Sequence, residues 1–158
     1  MPITKSGRGQ MPSWCELSYF EVLTLATDES RELLRRARRE KIIVGAGQCR
    51  IQSGGQVVVG EYGTNIDLVD DDDYFALSAI DGPITLVWLC GDWAAETSSG
   101  IFTVAKSDGR EDKGDAVDYP KETSFDAHYH DCDEYWILFE GCGIAVSEGH
   151  SYEVGPGD

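Results

Sequence analysis

Short apolar runs alternate with glycine- and aspartate-rich breaks from residue 41 to the end of the chain. The runs are rich in β-branched and aromatic residues, whereas breaks such as GAG, SGG and DGP carry the residues that tight turns require. Many short strands at close spacing predict an all-β sandwich or barrel. The predicted strands are KIIV, QVVVG, YFALSAI, ITLVWL, IFTVA, YWILF and IAV.

Two segments before residue 41 have a different pattern. Residues 1–13 combine Gly, Pro, Ser, Lys and Arg without periodicity, and they predict a flexible lead-in. A short helix is predicted at about 28–41, because Thr27 or Asp28 can cap its first turn. This helix would carry the only basic cluster of the chain, which we interpret as a solvated face rather than a nucleic-acid contact. Its members are Arg31, Arg35, Arg36, Arg38 and Arg39.

The overall charge excludes several classes of partner. The chain has 158 residues, with 13 Lys and Arg against 29 Asp and Glu, which gives a formal net charge of -16. Nucleic acids and anionic membranes attract proteins through positive charge, so neither is an expected partner. Hydrophobic residues make up 41% of the chain, which is enough to build the core of one ordinary domain.

Signals of targeting and of thiol chemistry are both sparse. No apolar run approaches the roughly 20 residues that cross a bilayer, and the first residues lack the apolar stretch of a signal peptide. A cytoplasmic location is therefore expected. The five cysteines are scattered and contain no CxxC pair, so we predict reduced thiols rather than a disulfide framework or a cysteine-rich zinc module.

The chain resembles itself when it is shifted by 86 residues. In this register Gly55 falls on Gly141, and Gly63 falls on Gly149. Two turn glycines in one register, with apolar positions that also match, predict two related β units. The predicted units span residues 14–98 and 99–158.

Two of the three histidines lie close together in the second unit. His128 and His130 are followed by Glu134, and alternate side chains of a strand point to one face, so these three are expected to converge. An isolated histidine in a strand is more often a half-buried polar residue, but here two imidazoles and a carboxylate share a face. Such a set suits Fe(II), Mn(II), Ni(II) or Zn(II) and leaves coordination positions open.

The string HxHxxxExxxxxxG, from His128 to Gly141, resembles the first motif of the cupin family. The following SEGHSYEVGPGD is similar to the approach to the second cupin motif. The resemblance implies a cupin double-stranded β-helix, a jelly-roll-like barrel whose interior holds one divalent metal ion of uncertain identity. It also implies that His128, His130 and Glu134 are metal ligands, and that a histidine of the second motif is a fourth.

That fourth ligand is absent, because the sequence ends at Asp158. The strands counted in the first unit indicate that about two are missing from the second, so we expect the sequence to be C-terminally incomplete. His150 is not expected to replace the ligand, since it lies at a predicted hairpin tip. Cys132 shares the ligand parity and is interpreted as a pocket-lining thiol, with metal ligation or redox chemistry as the alternatives.

The first unit lacks the metal chemistry of the second. In the 86-residue register its ligand positions hold Ile42, Val44 and Gln48, which cannot replace two imidazoles and a carboxylate. The resemblance is therefore to a two-copy cupin whose first copy is degenerate and binds no metal.

The residues after Glu134 alternate between the two faces of the predicted strand. Trp136 and Leu138 continue the inward parity and are candidates to wall the metal pocket, although the role of the aromatic residues here is ambiguous. The opposite face is too apolar to remain exposed, so we expect it to be covered by the first unit or by a second chain in a homo-oligomer. Its residues are Tyr135, Ile137 and Phe139.

Three classes of function fit such a barrel: a metalloenzyme acting on a small molecule, a small-ligand sensor, and a structural or storage protein. Metal ligands kept in one unit weigh against the third class, because inward polar residues are costly in a purely structural barrel. A sensor is usually joined to a DNA-binding helix-turn-helix, which one short helix does not provide. A metalloenzyme of dioxygenase, isomerase or decarboxylase type is therefore favoured, and a non-catalytic ligand-binding or sensor protein is the alternative. No catalytic residue beyond the metal ligands is predicted.

Overall fold

The computed structural model of the chain describes residues 3–8, 11–68, 72–93, 97, 99–102, 133–147 and 149–158. Residues up to Thr97 together with Tyr135–Asp158 form one compact region, and Ser98–Glu134 belong to another. All eight strands lie in the former region, while the described residues of the latter have no regular secondary structure. The strands are β1 (Leu17–Leu25), β2 (Ser30–Leu34), β3 (Arg39–Ser53), β4 (Gln56–Glu61), β5 (Asn65–Leu68), β6 (Tyr74–Gly91), β7 (Gly143–Ser147) and β8 (His150–Val154).

The described residues contain strands and turns but no helix, and hence none long and apolar enough to span a membrane. This confirms the predicted all-β class, whereas the helix predicted at 28–41 is wrong. Its place is taken by β2 and the start of β3, and Asp28 has a left-handed backbone (φ 60°) that turns the chain between β1 and β2. The Glu29 carboxylate accepts the backbone N–H of Ala26 at 2.8 Å and closes this turn. Pairing of β2 with β6, and packing of Leu33 on the core, outweigh helical propensity.

The two longest strands, β3 and β6, each change partners halfway along. The first part of β3 pairs with β5 and with the second part of β6, whereas its second part pairs with β4 and with the first part of β6. In the same way, β6 pairs with β2 through its first part and with β1 through its second. The antiparallel pairs therefore form two four-stranded halves, β1-β6-β3-β5 and β2-β6-β3-β4, which share the two long strands.

The bend in β3 turns apolar side chains on both sides of it toward one interior. Ile42 and Val44 are buried before the bend, and Cys49 and Ile51 are buried after it. Simple alternation would not bury both pairs, but the register of β3 shifts twice between Val44 and Gln48. A single core therefore fills the space between the two halves. Its buried residues are Leu23, Leu25, Ile42, Val44, Cys49, Ile51, Leu68, Phe75, Leu77, Ala79, Ile84, Leu86, Trp88 and Cys90.

Residues with unusual backbone angles mark both bends. Gly47 has a φ of 76°, and a Cβ at this position would lie 2.4 Å from the carbonyl oxygen of Pro83, so only glycine fits. In β6, Asp81 has a left-handed backbone (φ 53°) next to Gly82. The corners of the two long strands thus meet at Gly47 and Pro83.

Strands that alternate between two antiparallel halves are the topology of a two-sheet jelly roll. From β1 to β6 the chain enters one half, crosses to the other, and returns through the bends of β3 and β6. The predicted double-stranded β-helix is therefore confirmed, and residues 17–91 form it. The remaining two strands, β7 and β8, pair with each other as an antiparallel hairpin.

Residues from both ends of the chain cover the outer face of the β1-β6-β3-β5 half. Met11 and Ile137 pack against a second buried cluster, which consists of Leu17, Phe20 and Trp93. This small core continues the main one through the sheet, because Leu17 and Phe20 lie on β1.

The two ends also hydrogen-bond to each other. Ser6, within the predicted lead-in, donates its backbone N–H to the Gly157 carbonyl oxygen at 2.6 Å, and its hydroxyl accepts the N–H of Val22 at 2.8 Å. Lys5 forms an ion pair with Asp158, and the Lys5 ammonium holds the pKa of the Asp158 carboxyl below its usual value. The final turn is thereby fixed to the segment that precedes β1.

Candidate metal centre

The predicted metal ligands fall almost entirely outside the described residues. His128, His130 and the neighbouring Cys132 are not described, and Glu134 is described with an exposed side chain. Within the described part of the chain, no group of three or more His, Cys, Asp or Glu side chains is arranged to hold a metal ion. The convergence of the two imidazoles and the carboxylate therefore stays a prediction.

The corresponding positions of the first unit lie within the barrel and are apolar. Ile42 and Val44 are completely buried in its interior. Gln48, by contrast, is only half-buried, because the register shifts at the bend move Cys49 rather than Gln48 to the inward face. The alternation of inward and outward side chains in β3 is therefore interrupted between Val44 and Gln48.

The aromatic segment after Glu134 does not form the predicted strand. Residues 135–139 lie outside the strands, and the Trp136 side chain is 57% exposed. The histidines of the metal pocket that Trp136 is predicted to wall lie outside the described residues. Leu138 instead makes two backbone hydrogen bonds of 2.8 Å, one to Gly157 and one to Asp158. These bonds satisfy its backbone without a neighbouring strand.

The opposite face of this segment, with Tyr135, Ile137 and Phe139, packs on the barrel. This agrees with the first of the two predicted covers, the first unit, rather than a second chain. The Tyr135 hydroxyl accepts the backbone N–H of Leu17 at 3.4 Å, and Ile137 joins the second cluster. The ring of Phe139 lies so close to Gly45 that a Cβ there would approach it to 2.9 Å. Glycine at position 45 therefore makes room for the aromatic ring.

A buried carboxylate, Glu40, organises the polar end of the barrel. It accepts hydrogen bonds from Trp88 Nε1 at 2.9 Å and from the Ala37 N–H at 3.0 Å, and Arg35 Nε lies 3.1 Å away. A buried charge is tolerated when it is paired and hydrogen-bonded in this way. The interpretation of the arginine cluster as a solvated face is therefore wrong for Arg35, whose side chain is buried. The charge pattern of the sequence does not indicate that Glu40 is a buried counter-ion for Arg35, because the contact also depends on Trp88, which lies 48 residues from Glu40 in sequence.

Arg36 and Tyr19 complete this polar end. The Arg36 guanidinium lies 4.1 Å from the centre of the Tyr19 ring, a cation–π contact, and the Tyr19 hydroxyl donates to Glu21. Burial, together with the Glu21 carboxylate, raises the pKa of Tyr19 to about 12. Burial, reinforced by Glu40, also raises the pKa of the Cys90 thiol, so this thiol is protonated at neutral pH and is not a nucleophile.

The described cysteines and the surface clefts were also considered as possible parts of a site. The four described cysteines are free, as predicted, and Cys49 and Cys90 are completely buried. Two shallow clefts of about 480 and 430 Å³ open on the surface, and Glu134 lines neither. The larger is lined by Trp14, Cys15, Glu16, Ser18, Ala37, Arg38, Gly91 and Asp92.

Comparison with known proteins finds one clear relative and several partial structural likenesses. The chain is 36% identical over 159 aligned residues to the uncharacterized protein y4oW of Sinorhizobium fredii, and the alignment covers all of this chain and 73% of that protein. No family model matches the sequence.

Solved structures similar to the chain include two cupins. A cupin protein from Bacteroides fragilis has a TM-score of 0.45 and 14% identity, with 66% of this chain and 95% of that chain covered. A Cupin_2 domain of an XRE family transcriptional regulator from Enterobacter cloacae has a TM-score of 0.44 and 13% identity, with 55% and 95% covered. A de novo designed double-stranded β-helix has a TM-score of 0.40 and 17% identity, with 45% and 96% covered.

Proposed function

The chain belongs to the same family as the Sinorhizobium fredii protein y4oW, and we propose that it is a metal-binding cupin protein that acts on a small molecule. The ligands are His128, His130 and Glu134, and the ion is a divalent transition metal. The barrel of residues 17–91 serves as the scaffold and holds no metal of its own.

The observation that carries this proposal is the contrast between the two sets of equivalent positions. The first unit buries Ile42 and Val44 in an apolar interior, whereas the second places imidazoles at both positions of the 86-residue register. Imidazole suits Fe, Mn, Ni and Zn ions, and Glu134 adds a carboxylate, so the donor set fits such a metal. A bound ion of this kind supplies Lewis acidity or, if it is iron, a place for oxygen to bind.

We further propose a reaction of the dioxygenase, isomerase or decarboxylase class on a cytoplasmic small-molecule substrate, without nucleic-acid or membrane partners. The exposed position of Glu134 is compatible with access by a small molecule. A protein that only senses its ligand would release that ligand unchanged. Nuclear magnetic resonance spectra of a pool of small carboxylic acids, recorded before and after incubation with metal-loaded protein, separate the two outcomes. A ligand that binds but is recovered unchanged contradicts the enzymatic proposal.

Elemental analysis of purified protein tests the metal site itself. Wild type is expected to contain about one divalent metal ion per chain, and His128→Ala or His130→Ala is expected to lose it. His150→Ala is the matched control, because it removes the third histidine, which is exposed on β8. Equal metal content in all four proteins would contradict the site.

A further inference from the structure

The Arg36 guanidinium, at the polar end of the barrel, contacts aromatic rings rather than a carboxylate. Its neighbours Arg35 and Arg38 each form an ion pair with an acidic side chain. The Arg36 side chain is exposed, and its guanidinium carbon lies 4.1 Å from the centre of the Tyr19 ring and 5.6 Å from that of Trp88. Within the part of the chain that the structure describes, no carboxylate lies within ion-pair distance of this guanidinium.

The contact with Tyr19 leaves the hydrogen-bond donors of Arg36 without an oxygen acceptor from the described side chains. The N–H groups of a guanidinium lie in its plane and form a fork that matches the two oxygens of a carboxylate. A ring attracts the positive charge but provides no such oxygens. The acidic side chains at this end bond other groups, since Glu21 accepts the Tyr19 hydroxyl and Glu40 pairs with Arg35. Arg36 can therefore form a bidentate hydrogen bond with an anion from solution.

The backbone that carries Arg36 is fixed, although it belongs to the connection between β2 and β3. The Glu40 carboxylate accepts the backbone N–H groups of Arg36 and Ala37, and Ala37 packs against the core. The Arg35 backbone N–H donates to the Asp73 carbonyl oxygen at 2.8 Å. A guanidinium held in place in this way loses little conformational entropy when it binds a ligand.

We propose that Arg36 anchors a small-ligand site at the polar end of the barrel, which binds the carboxylate group of a small molecule. A carboxylate is favoured over a phosphate, because a chain with a net charge of -16 repels a singly charged anion less than a doubly charged one. In this site Tyr19 supports the guanidinium, and Glu40 positions the backbone beneath it. The site uses none of the proposed metal ligands and needs no metal ion.

Titration of the metal-free protein with sodium acetate tests the site. In the presence of EDTA, with sodium chloride replaced by acetate at constant ionic strength, the Trp88 Nε1–H resonance is expected to shift and to saturate. This group is a suitable reporter because it donates to Glu40 and lies beside Arg36. The Arg36 Nε–H resonance of isotope-labelled protein is expected to shift over the same range of acetate concentrations.

Substitutions of Arg36 separate specific binding from attraction by charge alone. Arg36→Gln is expected to raise the acetate Kd by about tenfold or more, and Arg36→Lys by less, because lysine keeps the charge but loses the planar fork. Arg50→Gln is the matched control, since it removes the same charge from an exposed position of β3, and it is expected to bind acetate as wild type does. Circular dichroism of each variant checks that the fold is retained.

Three results would overturn the proposal. The first is the absence of a saturable shift in wild type, and the second is an equal loss of affinity in Arg36→Gln and Arg50→Gln. The third is tighter binding of inorganic phosphate than of acetate at the same ionic strength, which would assign the site to a different anion. Because every titration is made without metal, none of these results depends on the proposed metal centre.

Discussion

The segments β4–β5 and β7–β8 contain matching turn glycines but pair differently. Gly55 and Gly63 border β4 with φ angles of 72° and 83°, and Gly141 and Gly149 border β7 with angles of 78° and 77°. These are the glycines that the 86-residue register superimposes, and all four have the left-handed backbone that favours glycine.

The strand pairing of the two segments separates them. β4 and β5 both pair with the long strand β3 and lie in different halves of the barrel, whereas β7 and β8 pair with each other. The turn glycines thus determine where the chain reverses direction. Whether the strands on either side of the turn pair with each other or with a third strand depends on whether a long bent strand lies beside them. The barrel of residues 17–91 has two such strands, and the described residues from 133 onward have none.

The largest expected difference between the two regions lies at their glycines. Gly47→Ala should destabilise the protein by about 3–5 kcal/mol, because its Cβ would strike the Pro83 carbonyl in a strained backbone. Gly149→Ala should cost only about 1–2 kcal/mol, since its φ is the same but a Cβ there meets open space. Urea unfolding measures both, and equal losses would mean that the β3 bend is no tighter than the hairpin turn.

Removing the charge of Glu40 should have the next largest effect. Glu40→Gln leaves Arg35 buried without its counter-ion, and a loss of about 3 kcal/mol in unfolding free energy is expected. Glu153→Gln makes the same change on the exposed face of β8 and should alter stability by less than about 0.5 kcal/mol. If both variants were equally stable in urea, the Glu40 network would not hold the barrel end.

Histidine substitutions at Ile42 and Val44, which correspond to His128 and His130, test whether the interior of the first unit is apolar as described. Ile42→His or Val44→His buries an imidazole without a partner and should cost about 2 kcal/mol each. Added Ni(II) should restore little of this loss even when Gln48→Glu is included, because Gln48 does not share the inward face. An unchanged melting temperature would place Ile42 and Val44 on the surface and remove the basis for the comparison.

Alkaline pH should reveal a smaller contribution from Tyr19. Its pKa is raised from 10 to about 12 in the folded protein, so its contribution to stability is complete below pH 10 and is lost as the pH rises toward 12. Tyr19→Phe should therefore make the decline of unfolding free energy between pH 10 and 12 less steep. The exposed Tyr62→Phe serves as the control, and identical slopes in the three proteins would contradict the assignment.

Sequence patterns predicted the strand class and the turn positions because these depend on local residues. The sequence predicts two strands, YFALSAI and ITLVWL, but the structure joins them in the single bent strand β6. Alternation breaks at Asp81 and Gly82, so a period of two cannot follow a strand around such a corner. The helix predicted at 28–41 is wrong for a related reason, since the structure of that segment is decided by pairing with β6, which lies 40 or more residues away in sequence.

For the candidate site, the sequence predicts the types of metal-binding side chain but not their arrangement in space. His128, His130 and Glu134 carry the motif, but the first unit shows that a bend can move one member of such a set off the common face. The buried role of Arg35 could not be predicted either, because it depends on Glu40 and Trp88 meeting inside the barrel.

Histidine-selective nuclear magnetic resonance tests the central claim most directly, because the chain has only three histidines. On titration of isotope-labelled protein with Zn(II), the imidazole signals of His128 and His130 should shift together and saturate at one equivalent, while that of His150 stays in place. Equal movement of all three signals, or movement of none, would contradict a metal site built from these two histidines.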